Sequence, residues 1–317
     1  MGWQDYWQKK SGLMACLLPL SWLFYGVTQL RKYVLKRSSV KSSLPVIVVG
    51  NISVGGNGKT PVLISIAKYL TNNGLKVAIV SRGYKAKTKT FPCWCDEASD
   101  PRLCGDEPVM IAANTGLPVV VDPIRTRAVE AIEASGGFDV ILSDDGLQHY
   151  KMDRLFEIAV VGSAQALGNQ WLLPAGPLRE PLARLATVDW VLGDKRMPYV
   201  QYGINAKPEG LYELKSGKRM ETKFFSGKKI QAITGIALPE RFYQSLQELG
   251  LKFSSRSFTD HHNFSVDDFT PYLNDLIVMT EKDAVKCRTM PLENAYVLKI
   301  ALNIEATFLT ELLIKLR

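Results

Sequence analysis

Histidine and cysteine are scarce in this chain, three and five of 317 residues. An odd, small number of cysteines in a long chain excludes a disulfide framework as the organising device and points to a reducing compartment. Cys93, Cys95 and Cys104 make a C-x-C-x8-C cluster, yet His149, His261 and His262 are all distant in sequence. Structural zinc sites use two paired ligand sets, so metal binding is not expected at these cysteines. Acidic residues are also short, 31 against 39 lysines and arginines, for a net charge of +8. That excess suits an anionic partner, whether nucleic acid, an acidic membrane face or a phosphorylated ligand, without choosing among them. Internal repeats and low-complexity segments are lacking. With 24 glycines, 16 prolines and 22% charged residues, the chain is too ordinary to be disordered or collagen-like. Its 46% hydrophobic content provides for one large or two medium domains with real cores.

Charge is missing altogether from residues 13–30, a stretch at the lower length limit for a membrane-spanning helix. No small-residue cleavage site follows it, as a signal peptide would require. Lys9 and Lys10 precede the stretch; Arg31, Lys32, Lys36, Arg37 and Lys41 follow, so the cations set no orientation for a span. Pro19 and Gly26 predict an interrupted helix. From Leu20 onward, Leu20, Leu23, Phe24, Val27, Leu30 and Val34 share one face. With Trp22, Tyr25 and Tyr33 suited to a headgroup layer, this segment (1–43) reads as a helix lying in a membrane surface, in preference to one packed on the core.

Beyond a polar linker at 38–43, β-branched apolar runs at 46–49, 77–80, 119–121, 140–142, 158–161 and 188–192 alternate with helical patterns such as 61–70 and 124–134. Alternation of this kind predicts an α/β domain over 44–200, a parallel sheet covered by helices. Residues 201–229, rich in lysine and glycine, read as a hairpin-like β-ribbon connector. A smaller α/β domain is expected over 230–317. Its strands fall at 230–234, 276–279 and 295–300, with a helix at 239–249 and a closing amphipathic helix at 305–316.

The strongest chemical signal follows the first strand: Ser53-Val54-Gly55-Gly56-Asn57-Gly58-Lys59-Thr60, with Pro61 opening a helix. In this P-loop context glycines let backbone N–H groups turn toward phosphates, the lysine reaches the β/γ-phosphates and the threonine hydroxyl meets Mg²⁺. Ser53 stands where the generic pattern has glycine. A second signal is the run from Phe138 into Asp144, Asp145 and Gly146, an apolar strand ending in two carboxylates. That places acid at the carboxyl edge of the sheet, where a Mg²⁺-holding carboxylate belongs beside a P-loop. Further polar clusters are Arg82-Gly83-Tyr84-Lys85, Gly105-Asp106-Glu107-Pro108, Gln148-His149, Leu178-Arg179-Glu180-Pro181 and Asp260-His261-His262. Singly each reads as a cap or solvated turn, Asp106 as a helix N-cap.

As an ordered set these strings resemble the tetraacyldisaccharide 4′-kinases, the membrane-surface lipid A kinases of Gram-negative bacteria. The resemblance runs through Gly50-Asn51-x-Ser53-Val54-Gly55-Gly56-x-Gly58-Lys59-Thr60, Ser81–Lys85, Gly105–Pro108, Asp144-Asp145-Gly146-x-Gln148-His149 and Leu173–Pro181. It continues through Gly235-Ile236-x-x-Pro239-x-Arg241-Phe242, Asp260-His261 and Thr280–Asp283, covering most of the chain. Ser53 is the family's own form of the loop. The resemblance implies transfer of the ATP γ-phosphate to the 4′-hydroxyl of a tetraacylated disaccharide 1-phosphate. It further implies two α/β domains on a β-ribbon hinge and a peripheral location on the cytoplasmic face of the inner membrane. Lys59 would bind phosphate, and Thr60, Asp144, Asp145 and Glu180 would surround Mg²⁺. Asp106 would act as base with His261, while Asn51, Arg82, Glu107, Gln148, His149 and Arg179 would line the site. Lipid disaccharide and membrane surface are the implied partners, with no nucleic acid and no obligate protein. Two rival classes differ from this chain at particular residues. A membrane-switch ATPase would carry a signature lysine where Val54 stands. A GTPase would carry an N-K-x-D-type signature, which Thr280-Glu281-Lys282-Asp283 only partly imitates.

Overall fold

Continuous burial marks five of the strands between residues 46 and 193. Every residue of β1 (Val46–Gly50), β2 (Val77–Ser81), β4 (Val119–Val121), β5 (Val140–Asp144) and β7 (Trp190–Gly193) is buried. Only a parallel sheet covered on both faces demands that pattern. The computed structural model describes residues 6–55, 58–84, 86–162, 164–236, 238–260 and 262–317. With β3 (Cys93–Cys95) and β6 (Phe156–Val161), the larger half of the sheet runs β7-β6-β1-β5-β2-β4-β3, parallel except at the β3 edge. One face packs on α2 (Lys59–Asn72) and α3 (Asp106–Thr115), through Leu63, Ile66 and Ile111. Across the sheet, Ala128, Val129 and Ile132 of α4 (Arg125–Ser135) fill the other core.

The strand β8 (Tyr202–Glu213) carries the sheet onward. It pairs in parallel with β7 only at Tyr202 and Gly203, then runs antiparallel to β13 (Ala295–Ile304) for most of its length. The ribbon is therefore made with a strand more than eighty residues downstream, not within 201–229 as expected. Within that stretch only β9 (Arg219–Met220) pairs back on β8, and Thr222–Phe225 is a 3-10 turn. Beyond β13 the order is β12 (Leu276–Thr280), β10 (Ile230–Thr234), β11 (Ser254–Ser257), all parallel. α5 (Pro239–Glu248) covers one face of this smaller half with Phe242 and Leu246, and α6 (Glu281–Cys287) the other with Ala284 and Cys287.

Two helices differ from expectation. The first, α1 (Leu18–Arg37), is uninterrupted because Pro19 sits in its first turn, where a missing N–H leaves no bond unmade. Ser21 is its one buried residue, donating to the Leu172 carbonyl at 2.8 Å. Its apolar side chains stay outside: Trp22 is 71% and Leu30 65% exposed, and Leu20, Leu23, Val27, Tyr33 and Val34 are likewise bare. Most of the apolar surface of α1 is thus left uncovered by the core, and no described helix is long and apolar enough to cross a membrane. The second is α7 (Ala306–Leu316), expected to close the smaller unit. Phe308, Leu312 and Leu313 instead enter the core of the larger half, with Phe308 against Trp190 and Tyr202. Its amphipathic pattern reports one buried face and is silent about which core receives it.

Candidate active site

The chain leaves β1 at Gly50 and enters α2 at Lys59. Gly55 and Gly58 hold φ of +104° and +77°, and Gly58 caps α2, so backbone N–H groups fan out at a helix N-terminus. Ser53 is buried and bridges to Leu178, while the Val54 N–H donates to the Pro177 carbonyl at 2.9 Å, tying the loop to the 171–181 segment. Gly56 and Asn57 of the expected nucleotide loop lie outside the described residues, as do Lys85 and His261.

β5 lies beside β1 with Val49 opposite Asp144, so the acidic pair emerges next to the loop at the carboxyl edge of the sheet. Asp145 has φ of 46°, a left-handed conformation that non-glycine residues adopt mainly at constrained functional positions. Lys59 Nζ donates to Asp145 Oδ1 at 2.8 Å and to Asn51 Oδ1 at 3.5 Å. Arg179 Nη1 approaches both Asp145 oxygens at 3.1 and 3.3 Å and donates to Gln148 Oε1 at 3.4 Å. Gln148 Nε2 in turn donates to the Asn51 carbonyl at 3.0 Å and to Glu180 Oε1 at 2.7 Å. Three sequence segments, 51–59, 145–148 and 179–180, therefore converge on one hydrogen-bonded cluster.

The two carboxylates are tuned apart. Burial would raise both. At Asp145 the Lys59 and Arg179 cations override it and hold the carboxyl well below the ordinary range. At Asp144 burial prevails, reinforced by Glu107 and Asp145, and the group is pushed up to about 7. Asp144 Oδ1 is buried with no hydrogen-bond partner among the described residues. A buried carboxylate oxygen without a donor, in the cleft that Thr60 and the glycine loop also line, has the chemistry of a Mg²⁺ ligand, so these residues fit the ion. No cluster of three His, Cys, Asp or Glu able to hold a metal occurs among the described residues.

Glu180, expected among the metal carboxylates, has both oxygens engaged. Oε1 accepts from Gln148; Oε2 accepts from the Tyr150 hydroxyl and lies 3.2 Å from Arg184 Nε and 3.9 Å from Lys32 Nζ of α1. Both oxygens are thus met by neighbouring side chains. His149, lining the same cleft, is driven down to about 3 by burial and by Arg125, Arg82 and Arg31, so its imidazole is neutral. Arg125 escaped the sequence reading. It is buried at the start of α4 and its Nη2 donates to the Asp144 carbonyl at 2.6 Å and the Asp145 carbonyl at 3.2 Å. An arginine in the first turn of a helix that has no acid there opposes the helix dipole, and that was the available clue.

Asp106 does not cap α3; Gly105 is the N-cap and Asp106 opens the first turn with Glu107. Its Oδ2 lies 3.2 Å from Lys286 Nζ of α6, across the seam between the halves of the sheet. The P-loop, Asp144, Asp145, Arg82, Glu107 and His149 line a cleft of about 1310 Å³. Phe24, Thr28 and Lys32 of α1 form one wall, and Arg241, Phe242 and Asp260 of the smaller half another. That volume exceeds a typical single-ligand pocket.

A glycine loop at a helix N-terminus, a facing cation–carboxylate cluster and a large shared cleft fit a phosphoryl-transfer enzyme of the P-loop class. The family described as tetraacyldisaccharide-1-P 4′-kinase matches residues 13–317, and the chain belongs to it; it is a kinase. It is 41% identical over 306 residues to the tetraacyldisaccharide 4′-kinase of Legionella pneumophila (strain Corby), covering 95% of this chain and 93% of that one. With the enzyme of Aeromonas hydrophila the identity is 42% over 319 residues, covering 98% and 94%. The crystal structure of the "apo" form of the Aquifex aeolicus enzyme, in complex with ATP, superposes with a TM-score of 0.82 at 28% identity, covering 96% of this chain and 98% of that one.

Proposed function

We propose that this chain transfers the γ-phosphate of ATP to the 4′-hydroxyl of a tetraacyldisaccharide 1-phosphate in lipid A biosynthesis, working at the cytoplasmic surface of the bacterial inner membrane. One observation carries the reading. The cleft that holds the P-loop and the acidic pair is walled by α1, whose outer surface is bare and apolar. A lipid headgroup can thus reach the phosphate site while its acyl chains remain in the bilayer.

The hydroxyl oxygen attacks the γ-phosphorus, the bond from phosphorus to the ADP oxygen breaks, and Asp106 accepts the hydroxyl proton, with His261 as its expected partner. Lys59 leaves Asp145 for the phosphates and offsets the charge that develops on them. Arg125, bonded to the main chain of Asp144 and Asp145, holds the acidic turn in place. Thr60, Asp144 and Asp145 would hold Mg²⁺, which when bound draws charge from the β- and γ-phosphates. Gln148, Glu180 and Arg179 keep this cluster aligned, and Asn51, Arg82, Glu107 and His149 shape the cleft.

The test is phosphate transfer from labelled ATP to the lipid disaccharide in detergent micelles, comparing the native chain with Lys59→Ala and Asp106→Ala. Product on the lipid, with each variant folded but slowed by at least about 10²-fold, is the expected result. ATP hydrolysis that leaves the lipid unphosphorylated, or near-normal turnover in folded Lys59→Ala, would overturn it.

A further inference from the structure

Asp106 and the segment around His261 belong to different halves of the sheet, and one side chain touches both. Lys286 of α6 places its Nζ 3.2 Å from Asp106 Oδ2 and donates to the His262 carbonyl at 3.0 Å. The side chain is only 7% exposed, with the Phe264 ring centre 5.8 Å from the ammonium. Lysine ordinarily keeps its ammonium in water, so a charge this well covered is held by the partners it meets. Its base is fixed as well. The buried Asp283, one turn earlier on α6, accepts from Thr234 Oγ1 and Thr280 Oγ1, both at 2.7 Å, and from the Gly235 N–H at 3.2 Å. Val285, the preceding residue, is buried in the core of the larger half beside Val109 and Ile111, near neighbours of Asp106 on α3.

We propose that Lys286 is a positioning residue for phosphate transfer: its ammonium aims the Asp106 carboxylate and keeps the main chain at His262 in register with it. The proposal rests on Asp106 being the base. Reaction with a hydroxyl requires the accepting oxygen within hydrogen-bond reach, and displacement by about 1 Å costs about 10²-fold in rate. A strut that merely joined the halves would matter equally whether or not Asp106 could accept a proton. Lys286 acting through Asp106 matters only when it can.

The experiment is a double-mutant cycle on the full chain with Lys286→Met and Asp106→Asn, reading kcat, the KM for ATP, the KM for lipid and the melting temperature. Lys286→Met should lower kcat about 10²-fold and leave the KM for ATP within about two-fold, since the P-loop is untouched. Lys286→Arg, which keeps the charge, should recover most of that loss. In the Asp106→Asn background Lys286→Met should cost little more, because the two act as a unit. If the methionine variant does not fold, Lys286→Gln takes its place, keeping a donor for the His262 carbonyl but no charge for Asp106. The same fold loss in both backgrounds, or a folded neutral variant with normal kcat beside an impaired Asp106→Asn, sinks the Lys286 proposal alone. Normal turnover in Asp106→Asn removes the base assignment, and this proposal with it.

Discussion

At Asp144 and Asp145 adjacent carboxylates are given opposite characters by their neighbours. Asp145 turns out of the sheet in a left-handed conformation and meets two cations; Asp144 stays inside the strand end, where burial and the nearby Glu107 outweigh the charges of Lys59 and Arg125. His149 shows the same physics with the sign reversed. Its imidazole, buried among arginines, titrates near 3 instead of 6.5. As pH falls the unfolded chain takes up this proton before the folded one does. The stability due to neutral His149 is therefore complete above about 6.5 and is lost progressively toward the folded value. His149→Gln, which cannot titrate, should lose stability to acid less steeply than the native chain between about pH 6.5 and 4.5. Urea melts across that window decide it, and parallel slopes would mean that His149 is protonated without penalty in the folded chain.

The helix α1 illustrates how much of an element its own sequence settles. Its apolar surface from Leu20 onward and the cations that follow were legible, because a period of 3.6 residues needs no partner to be recognised; its unbroken length was not. Where Pro19 falls in the first turn was not legible, because that depends on where the helix begins. Trp22 and Leu23 lie bare on it. Each such side chain gains about 1.5 kcal/mol or more on burial in an apolar phase, so replacing both by glutamate should weaken binding to vesicles by at least about 10²-fold. Turnover of a water-soluble short-chain analogue should survive. Co-sedimentation with vesicles of anionic lipid measures the first and the micelle-free assay the second. Unchanged sedimentation would show that this surface does not meet the membrane.

Across the whole molecule the chain crosses between the halves of its sheet more than once: β8 enters the smaller half, β13 returns along it, and α7 ends on the larger half. Phe308 is fully buried there, with its ring 5.5 Å from those of Trp190 and Tyr202. Phe308→Ala should cost about 3–5 kcal/mol of stability. Amide exchange should then quicken in β1, β7 and α2; quickening confined to residues 230–300 would show that α7 belongs to the smaller half after all. The sequence by itself determined the parallel α/β core, the phosphate loop on its first strand and the acidic pair on a later one. Each of these is a local pattern: β-branched runs, glycines ahead of Lys59, carboxylates at a strand end. Only tertiary structure decided that Arg125 grips the turn of Asp144 and Asp145, that Glu180 orients Gln148, and that Lys286 spans the seam to Asp106. Those contacts join residues from 19 to 180 positions apart. The identity of a polar side chain states what it can bond, and the packing of the elements that carry it selects the partner.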